Sequence, residues 1–219
     1  MNCSQSLLDN LCPDDIQYSP LIELVPISRG VRLTRNQLLG EGAYPVYQNS
    51  LSPLGYNDDY NCPRNTTFII SAGAAGEIGY SENNFWAADD CIYFDCSNGV
   101  LISRYLYHVL LSKQHQIMSK VRRASIPRLS RKDIEKIVIP VPPLPIQEEI
   151  VRILDTFTEL TAELTAELTL RKKQYEFYRD KLLSFDGLSE EEREREARSE
   201  VGYVERYCFR FVQRQRNKA

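Results

Sequence analysis

The chain has 219 residues, of which 42% are hydrophobic and 26% charged, and its 27 basic and 30 acidic side chains leave a formal net charge of −3. That is the composition of a soluble protein with room for one domain, or for one domain and an elongated appendage, and its overall charge does not mark it as a nucleic-acid binder. The six cysteines, Cys3, Cys12, Cys62, Cys91, Cys96 and Cys208, contain no Cys-x-x-Cys pair and are too sparse for a disulfide scaffold, so they are expected to be buried or idle thiols.

The start, MNCSQSLLDNLCPDD, has no basic region ahead of its apolar residues, and no later stretch approaches the roughly 18 apolar residues of a membrane span. The chain therefore reads as cytoplasmic. From about Ile16 to Pro140 short apolar runs alternate with Gly, Pro, Asn and Asp, the pattern of a β-containing globular domain. TTFIIS, EIGY and FWAADDCIYFD are expected to form a small antiparallel meander, with AGAAG and SENN as its turns. Ser103 is placed as the N-cap of a helix RYLYHVLLSKQHQI, whose Leu106, Val109, Leu110 and Ile117 make an apolar stripe. Ser130 and Asp133 form a capping box for a short helix ahead of the strand-like KIVIPV.

PVPPLP, Pro140 to Pro145, separates two regimes. Beyond it, Ile146 to Leu183 contains no Gly or Pro, acids at Glu148 and Glu149 follow the start, and bases gather toward the end, which predicts one long helix. Ile146, Ile150, Ile153, Phe157, Leu160 and Leu164 step by fours and threes, the spacing of a coiled-coil seam. Leu168 is four further on, and Tyr175 lies on the resumed alternation, so the tandem TAEL units at Thr161–Leu168 form a stutter. Each unit is a length insert of about 6 Å and about 40° of rotation. The alternative reading of TAEL is simply a good amphipathic helix sequence. Residues 185–219 form a charged tail to which no function attaches.

Two clusters of bases point toward oxyanions. Lys120, Arg122, Arg123, Arg128, Arg131 and Lys132 fall within thirteen residues that hold no acid, next to Ser125 and Ser130, and Arg29, Arg32 and Arg35 form a second acid-free set. Such groups suit a phosphate backbone, or are an ordinary basic surface. Gln48 and Asn49 carry amides that can contact adenine in a major groove, or make turns. Catalytic patterns are missing. SAGAAGEIGY lacks the Gly-Lys-Ser/Thr of a phosphate loop and reads as a tight strand connection; Asp89 and Asp90 have no matched partner; His108 and His115 have no third ligand. No metal site is expected.

The stretch ASIPRLSRKDIEKIVIPVPPLPIQEEIVRILD, Ala124 to Asp155, closely resembles the junction of recognition domain and spacer helix in specificity subunits of type I restriction-modification systems. Upstream, YPVYQNS, GYND, FIISAGAAGEIGY and FWAADDCIYF resemble the recognition domain itself, and the likeness covers about residues 16 to 184. The resemblance implies an α+β architecture: a globular β-containing target recognition domain over 1–143, a coiled-coil spacer helix with TAEL repeats over 144–184, and the tail over 185–219. It implies a non-catalytic subunit that binds double-stranded DNA and carries modification subunits methylating adenine with S-adenosylmethionine, joined in some assemblies by motor-nuclease restriction subunits that use ATP and Mg. Full-length members hold two recognition domains and two antiparallel spacers. With one of each, this chain resembles a half subunit, which implies a homodimer through the helix seam that reads two inverted half-sites. A coiled-coil adaptor without DNA recognition, an enzyme's DNA-reading part, and a truncated product of a longer gene remain open alternatives.

Overall fold

A computed structural model describes residues 16–184. Their contacts divide at Phe157/Thr158 into two compact units; the proposed tail, residues 185–219, and Cys3, Cys12 and Cys208 lie outside the described residues.

The first unit is built around Thr66–Ile70 (β5), every residue of which is buried. A strand buried along its whole length needs cover on both faces, and its alternate apolar side chains meet two different cores. Ile69 joins the larger cluster with Phe94, Leu106, Leu110, Ile134 and Ile139, whereas Phe68 and Ile70 join Cys62, Phe85, Ala87 and Cys91. On one edge β5 pairs antiparallel with Ile78–Ser81 (β6), on the other with Cys91–Phe94 (β8), and β8 pairs onward with Ile27–Arg29 (β2). The sheet order is therefore β2-β8-β5-β6. This corrects the expected meander: β8 pairs back with β5 rather than with β6, and FWAADDCIYFD holds two strands. Trp86–Ala87 (β7) leaves for a second sheet, where Tyr44–Tyr47 (β3) accepts it in parallel and Gly55–Asn57 (β4) antiparallel. The turn at Ala88–Asp90 returns the chain to β5, whose second edge β8 satisfies.

The large cluster lies under a helical layer. Ser103–Ser112 (α2) supplies Tyr105, Leu106 and Leu110, and Gln114–Ser119 (α3) supplies Ile117. The expected single helix is thus broken at Lys113. Ser103 is also not its N-cap. Ile102 holds that position, and the Ser103 hydroxyl accepts a hydrogen bond from the Thr67 amide at 2.9 Å, tying the helix to β5. Arg131–Glu135 (α4) starts as expected, with the Asp133 amide donating to the Ser130 hydroxyl at 3.2 Å. Val138–Pro140 (β9) then pairs with Tyr18–Pro20 (β1), which leads into the short helix Leu21–Leu24 (α1).

The long helix, Leu144–Leu183 (α5), takes Leu144 and Pro145 into its first turn, where a proline loses no hydrogen bond. Its length is about 60 Å at 1.5 Å per residue. Ile146 and Gln147 are buried, and Ile150 and Val151 pack against the large cluster. Gln147 is a polar clamp: its Oε1 accepts from the Ile102 amide at 2.9 Å, while its Nε2 donates to the Val100 and Pro142 carbonyls at 3.0 and 2.8 Å.

In the second unit the helix continues with its apolar residues exposed, Leu160 at 47%, Leu164 at 65%, Leu168 at 56% and Tyr175 at 67%. Two threonines bond back one turn, Thr165 Oγ1 to the Thr161 carbonyl and Thr169 Oγ1 to that of Thr165, so these two hydroxyls are satisfied inside a helix.

Candidate nucleic-acid interface

The glycine-rich run after β5 organises the surface. To reverse from Ile70 into Ile78 the chain places Gly73 and Gly76 at φ +85° and +91°, the left-handed region that side chains rarely adopt. Gly79 serves a different end. A Cβ there would lie 2.3 Å from the ring of Phe68, which crosses the strand and stacks with Tyr47 and Phe85 at centroid distances of 5.0 and 5.1 Å.

Backbone groups of this turn that the hairpin leaves unpaired are taken by three loops distant in sequence. The Ala74 amide donates to the Asn49 carbonyl at 2.9 Å, the Gly73 amide to Pro127 at 3.1 Å, and the Ser71 amide to Asp90 at 2.7 Å, while the Leu129 amide donates to Ser71 at 2.8 Å. Gly73 is a glycine for a second reason, since a Cβ would stand 2.7 Å from the Asn49 oxygen. Met118 of α3 covers Gly76 from another side. Around one turn, therefore, stand Gln48 and Asn49, Asp89 and Asp90, and the segment beginning at Lys120.

That segment closes on itself. The amides of Arg122 and Arg128 each donate to the other residue's carbonyl, at 2.9 and 3.1 Å, so that Arg123 to Pro127 form a loop tip. Arg122, Arg123, Arg128, Lys120 and Lys132 are exposed, and among the described residues none has a carboxylate within ion-pair distance. Arg32 is likewise exposed and unpaired, and Arg35 opens the short turn Arg35–Gln37. Two other arginines are engaged internally. Arg131 donates to Glu135 at 2.7 Å and to the Ile27 carbonyl at 3.0 Å, and Arg29 donates to the Asp89 carbonyl and lies 3.8 Å from the Asp90 carboxylate. Gln48 is half-buried and its Nε2 donates to the Asp89 carboxylate at 3.4 Å; Asn49 is exposed. The surface thus offers free guanidinium forks, the donors that fit phosphate oxygens two at a time, beside two amide side chains.

Of the helix seam, Ile146 is enclosed by the chain's own domain at 3% exposure, and Ile150 and Ile153 are half-buried. Ile146 is therefore no part of a free seam, because the first turn of α5 must bury its apolar residues where the domain core lies. Phe157, at 61% exposure, opens the exposed portion.

The described residues hold no group of three or more His, Cys, Asp or Glu able to bind a metal. Burial pushes the Cys62 thiol up to about 12 and raises that of Cys91 well above its ordinary value, so neither forms a nucleophilic thiolate at neutral pH. No described helix is long and apolar enough to cross a membrane. Sequence reading passed over Gln147 and the pairing of Arg104 with Asp155, contacts spanning 45 and 51 residues that leave no local signal.

A family model described as the type I restriction modification DNA specificity domain matches residues 13–170. A putative type I specificity subunit of Mycoplasma pneumoniae is 32% identical over 166 residues, covering 74% of this chain and 45% of that protein. A putative type I restriction enzyme specificity subunit of Haemophilus influenzae is 32% identical over 205 residues, 86% of this chain and 52% of that one. The specificity subunit of the Escherichia coli type I restriction enzyme EcoR124I/EcoR124II is 35% identical over 165 residues, 59% of this chain and 39% of that one. The chain spans about half the length of the curated relatives it matches. Among solved structures, the type I restriction-modification S subunit from M. genitalium superposes with a TM-score of 0.63 at 22% identity, covering 78% of this chain and 46% of that one. The HsdS subunit from Thermoanaerobacter tengcongensis does so with a TM-score of 0.57 at 17% identity, covering 74% and 44%. At these identities the likeness is one of fold.

Proposed function

The chain belongs to the type I restriction-modification DNA specificity family, and from that premise we propose that its globular domain reads one half-site of double-stranded DNA through the surface around the Gly73–Gly76 turn. The observation that carries this reading is the Arg122–Arg128 loop, whose arginines are exposed and free of carboxylate partners beside Gln48 and Asn49. Arg122, Arg123 and Arg128, with Lys120, Lys132 and Arg32 around them, grip phosphates, and Gln48 and Asn49 reach base edges. Arg29 and Arg131, more than half exposed but each with a partner inside the domain, add to this grip from its edge.

The chain performs no catalysis in this reading. Modification subunits carrying S-adenosylmethionine methylate adenine at the site it selects, and restriction subunits using ATP and Mg join them, in the cytoplasm. Two copies pair through the exposed seam from Phe157 to Tyr175, and the resulting two-fold presents two recognition domains to inverted half-sites. Each TAEL then adds about 6 Å and about 40°, against a rise of about 3.4 Å and about 10 to 10.5 base pairs per turn of DNA, so the repeat count sets the separation of the half-sites.

Titrating the purified chain with duplex DNA at several salt concentrations tests the surface. The logarithm of affinity is expected to fall linearly with that of salt, and Arg122→Ala, Arg123→Ala and Arg128→Ala each to reduce the slope by about one. Affinity indifferent to salt and to all three substitutions would leave the chain a coiled-coil adaptor.

A further inference from the structure

The root of α5 is held to the globular domain, within Met1–Phe157, by two kinds of contact. Ile146, Ile150 and Val151 dock by apolar burial, which is non-directional and tolerates small rolling of a helix on its seat. Two polar contacts are directional. One is the Gln147 clamp already described. The other is Asp155, eight residues and thus about 12 Å further along the axis, whose Oδ1 accepts from Arg104 Nε at 2.9 Å, from Arg104 Nη2 at 2.9 Å and from His108 Nε2 at 2.8 Å, with Oδ2 3.2 Å from Arg104 Nε. The guanidinium is itself immobilised, lying 4.5 Å from the Tyr80 ring centroid and 5.1 Å from that of Tyr107.

Arg104 and His108 sit one turn apart on α2, and Tyr80 stands on β6, so the cluster ties the helix to both layers of the domain. A half-exposed ion pair of this kind contributes little to stability by itself. What it adds is geometry: two directional points about 12 Å apart along the axis define both the line of the helix root, within the first unit, and its roll about that line, and Asp155 lies two residues before that unit ends at Phe157. A roll of about 20° would be more than half the twist of a base-pair step, given about 10 to 10.5 pairs per turn.

We propose that the Arg104–Asp155–His108 cluster is a positioning device that fixes the rotational phase of α5 against the recognition domain, and thereby limits how far half-site separation can stray. This rests on the reading that two paired copies recognise two half-sites. Selecting duplexes from a randomised library with the full purified chain, then sequencing them, reads half-site sequence and separation independently. Wild type is expected to return one dominant separation. Asp155→Asn, which removes the charge, and Arg104→Lys, which keeps the charge but loses the fork, are expected to return the same half-site sequence while separations longer or shorter by one base pair rise about tenfold relative to wild type. Glu149→Gln, which breaks the exposed pair Glu149–Arg152 within α5 alone, is expected to leave the distribution unchanged.

An unbroadened distribution in both cluster variants overturns the proposal, as does a loss of half-site sequence in step with broadening, which would mean that the cluster merely holds the domain together. A chain lacking one TAEL separates the two levels. If that deletion shifts the dominant separation while Asp155→Asn leaves its width unaltered, the phase proposal alone fails; if wild type returns no paired half-sites, the dimer reading fails and takes this one with it.

Discussion

A methyl group at Gly73 would meet the Asn49 carbonyl at 2.7 Å and would have to hold a φ of +85°. Gly73→Ala is therefore expected to cost about 1–3 kcal/mol in urea unfolding and to weaken DNA binding, since the Asn49 loop must withdraw. Gly40→Ala, with nothing within 4 Å of the added carbon, is the matched control and should be near neutral. Buried acids give a second residue-level expectation. Cys62 is pushed from its ordinary 9.0 up to about 12 by burial, as Cys96 is to about 11 and Tyr105 to about 12. In the window between the unfolded and folded values the native state binds more protons than the unfolded chain, so these groups stabilise fully below the unfolded value and lose that contribution as pH rises toward the folded one. The urea midpoint is expected to hold steady near neutrality and to fall from about pH 9 to about pH 12.

At the scale of elements, Gln147 joins the start of α5 to the segment preceding α2. It is fully buried with three hydrogen bonds, and Gln147→Ala would strand the buried Pro142 carbonyl and take the partner from the half-buried Ile102 amide and from the Val100 carbonyl. Leaving buried groups unpaired costs about 1–3 kcal/mol each, so this substitution is expected to lower the thermal midpoint more than truncating any exposed residue of the same helix. The TAEL segment behaves oppositely. Its side chains are exposed and the Thr165 hydroxyl is satisfied within the helix, so removing one unit is expected to leave the stability of the globular unit unchanged. Local signals found some elements and misplaced others. The Ser130 cap was readable because a capping box is a contact between residues three apart. Ser103 was misassigned because its hydroxyl belongs to Thr67 across 36 residues.

For the molecule as a whole, the seam beyond Phe157 is the test of assembly. Leu164→Asp and Leu168→Asp together are expected to convert a concentration-dependent dimer into monomer by sedimentation, with the melting of the globular unit unaltered, because both side chains are more than half exposed in the single chain. Periodicity alone determined the long helix, because helix geometry is a property of neighbouring residues. Short apolar runs between turn residues likewise marked a β-containing domain ahead of it, and the Ala124–Asp155 stretch carried the family likeness borne out by the match over residues 13–170. Tertiary structure decided the rest. Which strand lies beside β5, which arginines are free and which are engaged by the Ile27 carbonyl, Asp90 or Asp155, and where the helix stops being core and becomes exposed all depend on contacts across tens to about a hundred residues. A side chain's chemistry is written in the sequence, but whether a partner has already claimed it is settled only when the folded backbone brings that partner within hydrogen-bonding reach.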